Sequence, residues 1–193
     1  WPCTVEKKLE LYVFSNAHGF YGLEEKDEYG KTLKYGSQVA EEASALLGYD
    51  IAVNYPHNID IIIHRSLTEI IDQWRMIIFA ENLTINLHNR QGLIEKINTK
   101  ISTIGMGKIN TSFICGVMRG LVRTDSNLMN TVLDRYLENP AMDSIFPYIQ
   151  LSIPLDEIGI GRIKKHLDKE NLNVYGYSNL AIGERHKAIT EDR

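Results

Sequence analysis

Ile59-Asp60-Ile61-Ile62-Ile63-His64-Arg65-Ser66-Leu67-Thr68-Glu69 is the stretch on which the reading of the fold turns. Up to His64 the apolar residues alternate with polar ones or gather in short β-branched runs. Beyond Arg65 they recur three and four apart almost to residue 170. The first pattern predicts strands and the second amphipathic helices. Ser66-Leu67-Thr68-Glu69 also fits a capping box, in which a serine hydroxyl and a glutamate carboxylate satisfy free backbone N–H groups where a helix begins. The change of period therefore predicts a structural join at 64/65 and a helix starting at Ser66.

Working back from that join, Ile51, Val53 and Tyr55 alternate as in a strand that Pro56 breaks, and Ile59 to His64 forms another. Ser37 is the expected N-cap of a helix whose face is Val39, Ala43, Leu46 and Leu47, with Gly48 as its stop. Residues 22–36 carry Glu24, Glu25, Lys26, Asp27, Glu28 and Lys31 between glycines, the composition of a solvated hairpin or loop. Leu9, Leu11 and Val13 alternate with Glu10, Tyr12 and Phe14 and predict the first strand. The order is then a small β-α-β-β unit.

Working forward, Leu67, Ile70, Ile71, Trp74, Ile77 and Ile78 form one stripe opposite Asp72, Gln73 and Arg75, and a turn falls within 85–92. Leu93, Ile94, Ile97, Ile101 and Ile104 repeat the pattern up to Gly105 and Gly107. Phe113, Ile114, Val117, Met118, Leu121 and Val122 repeat it again, and Gly116 and Gly120 on one side of that helix allow a neighbouring backbone to come close. Asp125 or Ser126 caps a helix with Leu128, Met129, Val132, Leu133, Tyr136 and Leu137 inside, ended by Asn139-Pro140. Residues 145–153 fit a short helix or a strand. A last helix has Asp156 and Glu157 in its first turn and Lys164, Lys165, His166 and Lys169 in its last, which complements the helix dipole.

The fold class expected is α+β and predominantly helical. A small β-α-β-β unit over 1–64 is followed, over 65–193, by a bundle or short array of antiparallel amphipathic helices with a turn-rich tail. The opening Trp1-Pro2 and the polar ending Thr190-Glu191-Asp192-Arg193 lead to the expectation that the chain is an excerpt of a longer protein.

Composition narrows the function classes. With 193 residues, 44% hydrophobic and 24% charged, the chain has the usage of a folded domain. A net charge of -4 provides no general attraction to phosphate backbones or anionic lipid, and no apolar run nears the roughly 20 residues a membrane span needs. Cys3 and Cys115 lack the spacing of zinc ligands, and a cytoplasmic location is expected. No cofactor and no metal are expected.

The candidate chemistry is sparse. Gly105-Met106-Gly107-Lys108 fails as a phosphate-binding loop, because Ser102 replaces the first glycine and Ile109 the metal-binding hydroxyl. His18, His57, His64 and His88 have no paired spacing, and Ser15 and Ser112 have no nucleophile-elbow context. Asp60 and His64, on one strand face but about 13 Å apart, could join Glu42 in a remnant of a metal-dependent hydrolase or nuclease. The run Arg162, Lys164, Lys165, His166 and Lys169 on the 156–170 helix, with a hairpin over 174–189, would suit winged-helix binding to nucleic acid. The preferred function is a non-catalytic protein-interaction or regulatory module of a larger protein or assembly. Its partner would be another protein or the parent chain's remaining domains; nucleic acid is not favoured, and no membrane partner is expected.

Overall fold

The computed structural model describes residues 4–16, 20, 22–69, 73–104, 109–169 and 174–181. Leu9, Tyr12, Val13 and Phe14 are all buried, and they reach the core on a helix instead of the expected strand. Helix α1 (Val5–Leu9), capped by the Thr4 hydroxyl, runs into a wide π turn over Glu10–Phe14. The extra residue in that turn puts three consecutive side chains inside, which an alternating pattern cannot do. The hairpin is present: β1 (Glu25–Lys26) pairs antiparallel with β2 (Thr32–Lys34). It is the only sheet among the described residues.

Helix α2 (Gly36–Asn54) starts at Tyr35, not Ser37, with the Tyr35 N–H donating to Gln38 Oε1 at 2.9 Å. It passes straight through Gly48, so the strand expected over 51–55 is its last turns. Gly48 is not a stop. A Cβ there would overlap the Phe79 carbonyl oxygen and lie 2.8 Å from Leu83 N, and the glycine instead lets two helix backbones touch.

After a 3₁₀ turn over Pro56–Asn58 comes α3 (Ile59–Thr68), where the third strand was expected. Ile59, Ile62, Ile63, Ser66 and Leu67 are its buried face, a helical spacing hidden in a β-branched run. Burial of that face overrides the weak local preference of isoleucine for strand. The expected β-α-β-β unit is thus replaced by helices joined through a short hairpin.

The capping box is corrected too. Ser66 lies inside α3, buried, and its hydroxyl has no hydrogen-bond partner among the described residues. Glu69 turns extended and bonds back to Arg65 at 2.7 Å. The end of α3 is closed by Asn110, whose N–H donates to the Leu67 carbonyl at 2.9 Å and whose Nδ2 donates to the Glu69 carbonyl at 2.9 Å.

Helix α4 (Gln73–Asn86) buries Arg75, Met76, Phe79, Ala80, Leu83 and Thr84 and leaves Trp74 half exposed. The stripe drawn forward from Leu67 is rotated because the chain breaks helical phase at Glu69. Ile70, Ile71 and Asp72 lie outside the described residues. Beyond α4 the expected helices are found as α5 (Arg90–Thr103), α6 (Ser112–Thr124), α7 (Ser126–Glu138), α8 (Phe146–Gln150) and α9 (Glu157–Leu167). Asp125 caps α7 by accepting from the Leu128 N–H at 3.0 Å, and Asp156 caps α9 by accepting from the Gly159 N–H at 2.7 Å. The 145–153 segment resolves as helix, and Val174–Ala181 is 3₁₀ where the start of a hairpin was expected. The rest of that hairpin lies outside the described residues.

Helix α4 is the axis of the fold, packed along α2 through Gly48 and along α6 through Gly116 and Gly120. The largest buried cluster runs from Leu9 to Ile153, with residues from both sides of His64 in it. A small second cluster joins Leu151, Ile163 and Tyr177.

Candidate functional site

Two of the three residues weighed for a hydrolase, Glu42 and Asp60, are each held in an ion pair. Glu42 is paired with Lys34 at 2.6 Å and Asp60 with Lys96 at 2.8 Å, both at the surface. Asp60 and His64 lie one helical turn apart on α3, not at the ends of a strand, and both are exposed. His57 and His88 are exposed as well. Among the described residues no three His, Cys, Asp or Glu side chains come together as a metal site. Cys115 is buried, and burial pushes its thiol up to about 11, so it stays protonated near neutral pH. Cys3, His18 and the glycine-lysine run 105–108 lie outside the described residues.

The basic run on α9 is engaged mostly by the chain itself. Arg162 is buried and donates to Asp134 at 2.7 Å and to Asn130 Oδ1 at 2.8 Å. Lys165 pairs with Glu138, and Lys169 bonds Asp143 and the Leu137 carbonyl. Only Lys164 of these cations has no ion pair among the described residues. Three acidic side chains along α7 and the turn after it thus hold α9 in place.

His166, the fifth member, is fully buried against Phe146 and Tyr177, with the Tyr177 hydroxyl 2.9 Å from Nδ1 and Asp143 Oδ1 3.5 Å from Nε2. Burial, aided by the Lys169 ammonium and opposed by Asp143, holds its pKa below the ordinary value of 6.5. A histidine that resists protonation only when folded lets the unfolded chain bind the extra proton, so stability falls as pH drops through about 6.5. Denaturant midpoints between pH 7.5 and 5 should decline in the wild type and decline less steeply in His166→Phe; parallel slopes would show that another group governs the loss.

The outer face of α2 is what the sequence reading missed. Ala40, Ser44, Leu47, Gly48, Ile51 and Ala52 make its buried face. On the opposite side Leu46, Tyr49 and Val53, at i, i+3 and i+7, are 69, 49 and 50% exposed. Glu42 and Asp50 lie beside this stripe, and Asp50 accepts from Asn54 Nδ2 at 2.6 Å. A surface helix ordinarily puts charged residues where these three stand. The signal was present in the sequence, but ending the helix at Gly48 assigned Leu46 to its inner face and Tyr49 and Val53 to other elements.

No family model, curated protein or solved structure matches the chain.

Proposed function

We propose that this chain is a protein-interaction module that docks a basic amphipathic helix of another protein along the outer face of α2. The observation that carries this reading is the uncovered stripe Leu46, Tyr49 and Val53. Their i, i+3, i+7 spacing is the anchor spacing of helix-against-helix recognition. Covering the half that remains exposed would contribute about 1 kcal/mol for each side chain, a modest gain that suits regulated association.

Charge selects the occupant. Glu42 is already held by Lys34, but Asp50 beside the stripe has no ion pair among the described residues, so a lysine or arginine at that edge of the incoming helix would steer and register it. A second copy of the chain fits less well, because two-fold pairing about the middle of the stripe sets Asp50 close to the Asp50 of the other copy. The cations of α9 support nucleic-acid binding poorly, being held by Asp134, Glu138 and Asp143.

A photo-cross-linking residue at position 49, introduced in the native source, tests the proposal. The expected product is one adduct whose linked peptide is a basic amphipathic helix of a different protein. Leu46→Asp with Val53→Asp should abolish it and leave Tm nearly unchanged, since both sites are exposed. No adduct, or an adduct only with another copy of this chain, would overturn the reading.

A further inference from the structure

A separate feature lies on other residues. Between α4, α6 and the segment joining α8 to α9 is a cleft of about 430 Å³ lined by Glu81, Arg119, Val122, Arg123 and residues 152–155. That volume is within the range of small-ligand sites. Val122, Ile153, Pro154 and Leu155 supply the apolar part of its wall.

The two arginines differ in how they are held. Arg123 is neutralised by Glu81 at 2.8 Å. Arg119 is half-buried, and its Nε–H donates to the Ser152 carbonyl at 3.0 Å. The guanidinium also lies over the Trp74 ring, 5.4 Å from its centre. A guanidinium has five N–H donors in a fixed plane, and among the described residues no carboxylate and no second acceptor takes the remaining four. The half-buried Arg65 and Arg90 and the buried Arg162 each donate to two or more acceptors. Arg119 is therefore a fixed cation, short of acceptors, beside an aliphatic wall.

We propose that this cleft binds an aliphatic carboxylate, with the carboxylate taking a bidentate pair of bonds from the terminal nitrogens of Arg119 and the branched side chain lying on Val122, Ile153 and Leu155. Planar carboxylate and guanidinium match in two parallel hydrogen bonds. The Ser152 carbonyl fixes the plane beforehand, so little side-chain freedom is lost on binding. The same chemistry is presented by a free N-acylated amino acid and by the C-terminus of a peptide ending in leucine.

The test uses the whole chain, labelled to observe the arginine Nε–H groups and the methyl groups by NMR. N-acetyl-leucine should shift Arg119 Nε–H and the Val122 and Leu155 methyls in a saturable way, and N-acetyl-leucinamide should bind at least tenfold more weakly. Arg119→Gln should remove that preference for acid over amide. Leu155→Trp, which leaves Arg119 in place and fills the cleft, should weaken both ligands. An acetylated pentapeptide ending in free leucine separates the sources: much tighter binding identifies a peptide C-terminus, and equal binding a small free acid. Equal affinity for acid and amide, or no saturable shift with any of the three, would overturn the assignment.

Discussion

Gly116→Ala should destabilise the chain by about 3 kcal/mol or more, although alanine is the better helix former by about 1 kcal/mol. The methyl group would overlap the Ile77 carbonyl oxygen and sit 2.7 Å from the Ala80 Cβ. Neither obstacle is the flexible end of a side chain, so α6 would have to move off α4 as a unit. Gly48→Ala meets the Phe79 carbonyl from the other helix in the same way, and a similar loss is expected. Gly161 is the control: it lies in α9 with nothing within 4 Å of an added Cβ. Gly161→Ala should therefore stabilise the chain by about 0.5–1 kcal/mol through helix propensity and reduced freedom of the unfolded chain. Chemical denaturation of the three variants checks the set; a neutral Gly116→Ala would mean that the α4–α6 backbones are not in contact.

Those glycines also mark how far the fold could be read from sequence. Gly116 and Gly120 were legible because they sit four apart in a helix whose remaining residues are plainly periodic, and their close approach to α4 is what that spacing predicts. Gly48 was misread because the same residue serves as a helix stop and as a packing surface, and only the partner backbone decides between them. Helices α5, α7 and α9 have polar outer faces and the side-chain caps Asn89, Asp125 and Asp156, so period and boundaries agree. The first third of the chain lacks this agreement: α2 is apolar on both sides, α3 opens with four isoleucines in five residues, and the π turn hides its period. Strand and helix then predict equally well until burial is known.

The candidate sites were legible in identity but not in their partners. Arg162, Lys165 and Lys169 are cations in the right place for a groove-binding helix, and nothing local to 156–170 reveals that Asp134, Glu138 and Asp143 face them. Conversely, Arg119 drew no notice in an ordinary helix, and its shortage of acceptors exists only in three dimensions. Pairing is a tertiary property, and the reading of every one of these sites depends on it.

Arg75→Met should cost about 3 kcal/mol, the second large effect expected. Arg75 was placed on the exposed face of its helix, yet it is 3% exposed and sits at the end of the π turn. Its Nη1 donates to the Tyr12 carbonyl at 3.1 Å and faces the Leu11 carbonyl at 3.4 Å, while Nη2 donates to the Ser15 carbonyl. A wide turn ends with several carbonyls lacking a helical partner, and one guanidinium answers them together while its charge meets the negative end of the helix dipole. The guanidinium also lies 4.3 Å from the centre of the Phe20 ring, and Phe20 has φ of +45°, a left-handed conformation that costs a non-glycine residue about 1 kcal/mol or more. Methionine would fill much of the volume but remove the charged donor that these carbonyls share, at about 1.5–3 kcal/mol for a hydrogen bond to a charged group, and leave the Tyr12 carbonyl with the Ser44 hydroxyl alone, at 2.8 Å. Because the lost bonds are local, amide exchange should accelerate first over residues 5–14, ahead of α6 and α7. Uniform acceleration across the chain would assign Arg75 to general packing, and an unchanged midpoint would remove it as the clamp on the N-terminal helix.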